Sequence, residues 1–246
     1  MTRLDTYIVE KSLCESRNKA QTIIKDGLIF VNSKCVRKNS FLVQESDEIE
    51  IKQYKKYVSR SAFKLAEFLE ELALNIDDFI ALDIGSSTGG FTQVLLENGV
   101  KEVTCVDVGT NQLHNSLRED NRVSVYESCD IREFKNDKKF DLIVSDVAFI
   151  SLLYILDDVD RLAFRDIILL FKPQFEVGRE IKRDKNGVVL DKRAILNAMR
   201  VFEDACELKG WRLVKKSPSK LTGKDGNLEY CYYFINSTTS SNASLS

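Results

Sequence analysis

The fold is decided by one stretch, Asp83-Ile84-Gly85-Ser86-Ser87-Thr88-Gly89-Gly90-Phe91-Thr92, which directly follows the apolar run Ile80-Ala81-Leu82. The apolar run predicts a buried strand, and the residues after the glycines predict a helix. Glycine lets a backbone pass close to a ligand, and ligands of α/β sheets bind at the carboxyl ends of strands. We therefore expect a nucleotide-like ligand at this turn.

The spacing of this stretch differs from that of a dinucleotide-binding turn. It reads D-x-G-x-x-x-G, whereas dinucleotide binders carry G-x-G-x-x-G. An aspartate at this position repels a pyrophosphate and suits a cationic ligand. The pattern resembles motif I of S-adenosylmethionine methyltransferases. This resemblance implies S-adenosylmethionine as the cofactor, bound by Asp83, Gly85, Ser86, Ser87, Thr88, Gly89, Gly90 and Phe91.

Three further aspartates follow later predicted strands. Asp107 lies 24 residues after Asp83, where a carboxylate can accept both ribose hydroxyls of a nucleoside. Asp130 stands where such methyltransferases usually contact the adenine amino group. Asp146, at the end of the next strand, is included in the same cofactor-binding set. A single aspartate at a strand end is often only a turn cap, but aspartates at several successive strand ends do not suggest a chance arrangement.

Strands and helices alternate on both sides of this stretch. We predict helices over 61–73, 90–97, 111–118, 151–156 and 192–209, and strands over 79–84, 102–107, 123–126, 141–146, 166–171, 211–215 and 229–235. Such alternation predicts an α/β fold, a mainly parallel sheet with helices on both faces. Together with motif I, it indicates a Rossmann-like class I methyltransferase domain over residues 59–236.

The first 52 residues follow a different pattern. Helical spacing covers 3–13 and 17–26, with Ser16 as N-cap and Gly27 after the second helix. A hairpin over 28–37 and a strand over 48–51 follow. The run from Ser16 to Val36 resembles the RNA-binding module named after ribosomal protein S-four, with Ser33 in place of the usual turn glycine. This resemblance implies a small α+β RNA-binding domain at 1–52. Residues 53–58 show no long apolar period and are predicted to form a linker, and residues 237–246, rich in Ser, Thr and Asn, are predicted to form a disordered tail.

Charge is distributed unevenly along the chain. The net charge is −2, but residues 1–60 hold 12 Lys and Arg against 8 Asp and Glu, whereas the remainder holds 24 against 30. A basic N-terminal piece indicates an anionic partner, although solvated surface lysines are the simpler alternative on charge alone. With the S-four resemblance, the candidate RNA-binding residues are Arg3, Arg17, Lys19, Lys25, Lys34, Arg37, Lys38 and Arg60.

Charged residues at predicted strand ends indicate the reaction. The fourth strand ends in Ser145-Asp146-Val147-Ala148-Phe149, without the prolines of the N/D-P-P-Y motif, which disfavours methylation of a base amine. The set Lys64, Asp146, Lys172 and Glu229 resembles the K-D-K-E set of FtsJ-type rRNA 2′-O-methyltransferases. In that comparison Lys172 either accepts the hydroxyl proton, helped by a second cation, or stays protonated and orients the hydroxyl oxygen. The sequence leaves both roles open.

The motifs taken together resemble the TlyA family. They are Y-V-S-R-S-A-F-K-L at 57–65, with Ser61 where the family more often has glycine, the turn at 83–92, V-S-D-V-A-F-I-S at 144–151 and K-P-Q-F-E-V-G at 172–178. This resemblance implies a 2′-O-methyltransferase acting on cytidines of small- or large-subunit ribosomal RNA, connected with sensitivity to capreomycin and viomycin. The implied partners are ribosomal RNA or ribosomal subunits.

Two hypotheses from other classes stay open: a haemolysin that damages membranes, a label the family also carries, and a non-catalytic rRNA-binding assembly factor. No apolar run is long enough to span a bilayer, and no signal-peptide core is present, so no stable membrane association is expected.

The six scattered cysteines are typical of reduced thiols in a cytoplasmic protein. The single histidine, His114, is predicted on a helix surface, and no metal site is expected. The oligomeric state is undetermined.

Overall fold

The computed structural model describes residues 1–51 and 57–237. The chain divides into two compact units, residues 1–56 and 57–246. Most of the predicted linker at 53–58 and of the predicted tail at 237–246 lies outside the described residues.

The first unit packs two helices against short antiparallel strands. Its elements are β1 Thr2–Arg3, α1 Leu4–Glu10, α2 Arg17–Lys25, β2 Ile29–Val31, β3 Lys34–Cys35, β4 Leu42–Val43 and β5 Ile49–Ile51. The strands form a sheet of order β3-β2-β5 and a separate pair, β1 with β4. Ser16 caps α2 by accepting the Lys19 N–H, as predicted, and Gly27 has φ +77° just beyond the helix. Apolar side chains four residues apart, such as Leu4 with Ile8 and Ala20 with Ile24, form the core.

The second unit contains a seven-stranded sheet covered by helices. Its elements are α3 Ser61–Leu72, β6 Ile80–Ile84, α4 Gly90–Glu97, β7 Glu102–Val106, α5 Asn115–Arg118, β8 Val123–Tyr126, β9 Phe140–Ser145, α6 Leu156–Leu162, β10 Ala163–Phe171, α7 Pro173–Glu176, α8 Lys192–Leu208, β11 Trp211–Pro218 and β12 Tyr230–Asn236. The strand order is β11-β12-β10-β9-β6-β7-β8. Neighbours from β10 to β8 are parallel, and β12 is antiparallel to both of its neighbours. The predicted α/β architecture is confirmed.

Each face of this sheet has its own hydrophobic core. Alternate residues of a strand point to opposite faces, so Ile143 of β9 joins one core while Val144 joins the other. The first core includes α6 and α8, represented by Leu156 and Phe202. The second includes α3 and α4. Helices on both faces leave the edge formed by the strand ends as the place where loops carry polar side chains.

The register of the sheet aligns the ends of its central strands. Ser145, the last residue of β9, pairs with Ile84 at the end of β6, and Phe171 at the end of β10 pairs with Tyr230. Tyr230 is the first residue of β12, because that strand runs in the opposite direction. The residue before β12 therefore lies at the same edge as the residues that follow β6, β9 and β10.

Three predicted helices are wrong in extent. The helix predicted over 3–13 ends at Glu10 as α1. The helix predicted over 111–118 forms only as α5, because the Glu127 carboxylate accepts the N–H groups of Asn111, Gln112 and Leu113 at 2.9, 2.8 and 3.1 Å. The Glu127 carboxylate thus holds residues 111–113 in a turn. His114 is the N-cap of α5 and does not lie within a helix. The helix predicted over 151–156 is a 3₁₀ turn at Leu152–Tyr154 that leads into α6. No described helix is both long and apolar enough to cross a membrane.

Candidate active site

A cavity of about 270 Å³ opens at the carboxyl edge of the sheet. It lies beyond the ends of β6, β7 and β9, where ligands of such sheets bind. Predicted cofactor residues in its wall are Gly85, Ser87, Asp107, Asp130 and Asp146. Apolar side chains supply most of the remaining lining, among them Val106, Ile131 and Ile155. An apolar slot edged by a few acidic groups suits a nucleoside.

Gly85 and Asp107 shape the wall of this cavity. Gly85 has φ +76°, and a Cβ there would lie 3.0 Å from Cγ1 of Val147, so a larger residue is disfavoured by both strain and space. The Asp107 carboxylate accepts the Ser87 N–H at 2.8 Å and the Gly109 N–H at 2.7 Å. Each carboxylate oxygen has a further lone pair, so this fixed group can still accept ribose hydroxyls.

Asp83 is completely buried at the end of β6. Its Oδ2 accepts the Thr92 N–H at 3.0 Å and the Thr92 hydroxyl at 2.6 Å, while Oδ1 has no hydrogen-bond partner in the described part of the chain. Burial raises the pKa of Asp83 to about 7, against the Thr92 hydrogen bonds, and the negative charges of Asp146 and Asp107 add to the rise. An orphaned buried oxygen in an acidic setting fits a cationic ligand such as a sulfonium.

Asp130 lines the cavity but is already paired. Arg132 donates to its two oxygens through Nε at 2.9 Å and Nη2 at 2.6 Å, and the Arg132 N–H adds a third bond. The guanidinium lowers the pKa of Asp130. The carboxylate predicted to receive the adenine amino group is therefore occupied by an arginine, a partner that the sequence analysis did not consider.

Some of the other residues of the glycine-rich turn pack against protein, and others line a cavity. A Cβ at Gly89 would overlap Leu117, and one at Gly90 would overlap the Ser59 hydroxyl, so these two glycines make room for protein. Gly85 is the one glycine in the walls of this cavity and of a second cavity of about 400 Å³ beside it. That second cavity is lined by Asp83, Ser86, Ser87, Thr88 and Phe91 of the turn, together with Asp146 and Lys172.

The four charges predicted to act together form two ion pairs. Lys172 Nζ lies 2.6 Å from Asp146 Oδ1, and Lys64 Nζ donates to Glu229 Oε2 at 2.5 Å. All four side chains are largely buried. Asp146 follows β9, Lys172 follows β10 and Glu229 precedes the reversed strand β12, while Lys64 comes from α3. Asp146 belongs to the walls of both cavities, so the Lys172–Asp146 pair stands at their junction.

Comparison with known proteins agrees with this geometry. Residues 57–235 match the FtsJ-like methyltransferase family, and residues 2–49 match the S4 domain. The chain is 46% identical to the 23S rRNA (cytidine-2′-O)-methyltransferase TlyA of Campylobacter jejuni, over 93% of this chain and 98% of that protein.

The chain belongs to the TlyA family of FtsJ-like methyltransferases.

Other members of the TlyA family carry different names. Hemolysin A of Brachyspira hyodysenteriae is 38% identical over 95% of this chain and 99% of its own length. A solved structure described as a hemolysin from Streptococcus thermophilus is 32% identical, with a TM-score of 0.70, and covers 96% of this chain and 89% of that one. The predictions of the family, the fold and the S-four-type domain are confirmed.

Phe149 is a feature of this TlyA-family site that the sequence analysis did not single out. It lines the first cavity, yet 92% of its surface is exposed, and its φ of +67° is strained for an aromatic residue. Its ring lies 5.4 Å from that of Phe175, which in turn lies 5.9 Å from Lys172 Nζ. Neither the left-handed backbone nor the exposure of an apolar ring has a sequence signature.

The predicted RNA-binding residues of the S4 domain have three kinds of surroundings. Arg3 and Arg17 both donate to Asp5, and Lys19 pairs with Glu15 at 2.9 Å. Arg37 donates to the carbonyl of Lys25 at 3.0 Å, so it caps the end of α2 as well as facing solvent. Lys25, Lys34 and Lys38 are exposed. Arg60 lies in the second unit, exposed, at the start of α3.

Proposed function

We propose that this TlyA-family protein transfers a methyl group from S-adenosylmethionine to the 2′-hydroxyl of a cytidine in ribosomal RNA. The observation that carries the proposal is the Lys172–Asp146 pair at the junction of two adjoining cavities. One cavity has the lining of a nucleoside site, and the other offers space for an acceptor beside a buried lysine. The FtsJ-like match, the S4 domain and the activity named for the Campylobacter relative support the substrate class.

The cofactor would lie in the first cavity. Asp107 would accept its ribose hydroxyls, and Gly85 would allow its close approach to the backbone. Asp83 Oδ1, which has no hydrogen-bond partner among the described residues, would face the cationic end from the second cavity, and a bound cation would favour the charged form of this carboxyl. When bound, S-adenosylmethionine supplies an activated methyl group on a sulfonium. Ser87 would also line this cavity, whereas Ser86, Thr88 and Phe91 of the turn line the second one. Asp130 would contribute together with Arg132 rather than as a free carboxylate.

Lys172 would act at the acceptor hydroxyl. Its ammonium is held by the Asp146 carboxylate at 2.6 Å and by the Asp146 carbonyl at 3.3 Å, which leaves its third direction for the substrate. A ribose hydroxyl is a poor nucleophile, so in-line positioning and a group that receives or shares its proton are needed. The Lys64–Glu229 pair would set the charge around that group.

RNA would be held at two places on the chain. The basic side chains of the S4 domain offer contacts to phosphates. At the mouth of the first cavity, the exposed ring of Phe149 offers a face on which a base can stack. Because the proposed substrate is ribosomal RNA, the reaction belongs to the cytoplasm.

The two other hypotheses are not favoured. The haemolysin hypothesis is supported by the name of one relative, Hemolysin A, but residues 57–235 match a methyltransferase family. A non-catalytic assembly factor would have no role for two buried ion pairs beside a cavity the size of a nucleoside. Burying unused charges is costly, which is why such groups concentrate at functional sites.

The test is a methylation assay with labelled S-adenosylmethionine, purified ribosomal subunits and free ribosomal RNA, followed by mapping of the labelled nucleotide. We expect label on a cytidine ribose, detected as one bond that resists alkaline cleavage. Lys172→Ala should lower turnover by roughly 10²–10⁴-fold, the usual contribution of a positioned proton-transfer group. Lys101→Ala, at an exposed lysine just before β7, is the matched control and should be neutral. Label on a base, or full activity of Lys172→Ala, would contradict the proposal.

A further inference from the structure

Asp5 is a buried carboxylate in the S4 domain that none of the functions above uses. It lies in the first turn of α1 and is fully buried, the one charged side chain of the described first unit that is. A buried charge is expensive unless donors surround it, so the donors around Asp5 indicate what the charge does.

Two arginines and a glutamine converge on this carboxylate. Arg3, from β1, donates through Nε to Oδ1 and through Nη2 to Oδ2, both at 3.0 Å. Arg17, in the first turn of α2, donates through Nε to Oδ2 at 3.2 Å, and Gln21 adds a bond of 3.0 Å. These bonds, led by that from Arg3, hold the pKa of Asp5 far below its usual range. Asp5 thus stays ionised and ties two separate elements together.

The arginines keep donors for another partner. Their side chains are 45% and 57% exposed, and Arg17 uses only Nε toward Asp5. A guanidinium has five N–H donors in a rigid fork that matches the oxygens of a phosphate. Arg3 is anchored at one edge by two bonds and Arg17 by one bond through Nε, so their remaining donors are presented to solvent side by side. A free arginine would have to lose side-chain entropy to reach the same geometry.

We propose that Asp5 is a positioning residue for RNA: it joins Arg3 and Arg17 into one preorganised fork that binds a backbone phosphate. The proposal rests on the proposed function, because it takes RNA as the partner of the S4 domain. It adds a residue of negative charge to a surface on which only cations were expected to matter.

The fork and net charge alone predict opposite changes in RNA affinity when the charge of Asp5 is removed. Asp5→Asn makes the first unit one charge more positive, so a purely electrostatic surface would bind RNA more tightly. A fork that depends on the carboxylate would instead lose alignment, and we expect affinity to fall about tenfold, the scale of one bidentate phosphate contact. The matched control is Glu45→Gln, which makes the same charge change at an exposed position paired with Lys11 and should leave affinity equal or higher.

The experiment is filter binding of the full chain to transcribed 23S ribosomal RNA over a series of KCl concentrations. Arg17→Lys is the second variant, because it keeps the charge at an exposed position but lacks the fork. We expect it to lose affinity as Asp5→Asn does. Resistance of the first unit to limited proteolysis, measured on the same samples, gives the folded fraction of the S4 domain, and S-adenosylmethionine binding reports the second unit.

The outcomes separate the two ideas. If the wild-type chain binds neither this RNA nor purified ribosomal subunits, the proposed function fails. If the wild type binds and Asp5→Asn binds equally or more tightly while folded, the fork is overturned. If Arg17→Lys binds like the wild type, Asp5 is only a structural tie and the fork is again overturned.

Discussion

Asp5 and Asp83 are both completely buried carboxylates, yet their pKa values move in opposite directions. Asp5 faces two guanidinium groups, whose hydrogen bonds favour its charged form. Asp83 faces only the neutral donors of Thr92 and has Asp146 and Asp107 nearby, so burial dominates and its pKa rises to about 7. Burial alone therefore does not decide protonation. At Asp5 the hydrogen bonds from neighbouring guanidinium groups outweigh burial, whereas at Asp83 burial is the largest cause of the shift.

The raised pKa of Asp83 has a consequence for stability at the residue scale. The unfolded carboxyl ionises near its ordinary pKa of 3.8, whereas the folded one ionises near 7. Its contribution to stability is therefore complete below about pH 4, declines as the pH rises, and is lost above about pH 7. Asp83→Asn should abolish this decline, so that the stability advantage of the wild type over the variant shrinks between pH 4 and 7.

The measurement is urea unfolding at several pH values, followed by tryptophan fluorescence. Trp211 is the single tryptophan and lies in the core of the second unit, so the signal reports the unit that contains Asp83. Asp204→Asn, an exposed position on α8, is the control and should keep the wild-type pH dependence. A wild-type curve parallel to that of Asp83→Asn would show that Asp83 is ionised throughout.

At the scale of elements, the sequence predicted what local pattern controls. The strands beside the glycine-rich turn, and α3, α4 and α8, lie within one or two residues of their predicted bounds, because apolar periodicity and glycines define them locally. The residues at strand ends were predicted because parallel strands share an edge. The turn at 111–114 was not, since the Glu127 carboxylate that holds it lies 14 to 16 residues away. The pairing of Asp130 with Arg132 and the backbone of Phe149 were likewise invisible in the pattern.

Gly90, the first residue of α4, packs against the residues at the start of α3. A Cβ at Gly90 would overlap the Ser59 hydroxyl, which is hydrogen-bonded to the Ser61 hydroxyl at 2.8 Å. Gly90→Ala should therefore destabilise the second unit by roughly 1–3 kcal/mol, as overpacking does. Ser59→Ala should recover part of that loss in the double variant, since it removes the overlapping oxygen. Unfolding of the two single variants and the double variant gives the coupling energy, and additive effects would show that the two residues do not meet.

At the scale of the whole molecule, the two units carry different chemistry. The sheet, both cavities and the two buried ion pairs belong to the second unit, while the first carries the basic S4 domain. Deletion of residues 1–52 should therefore leave S-adenosylmethionine binding within about twofold, which calorimetry measures, since no cofactor residue is removed. Methylation of ribosomal particles should be abolished, because the phosphate contacts are lost. Unchanged methylation by the deletion variant would contradict this division of labour.

The reversed direction of β12 also bears on genetics. Glu229 reaches the site only from the beginning of a strand that pairs next to β10, so the partner of Lys64 is encoded some 165 positions after Lys64 itself. A premature stop codon anywhere before the end of β12 removes this carboxylate or the strand that presents it. Nonsense alleles that stop translation before the end of β12 should therefore behave as nulls, even where they remove only this last strand.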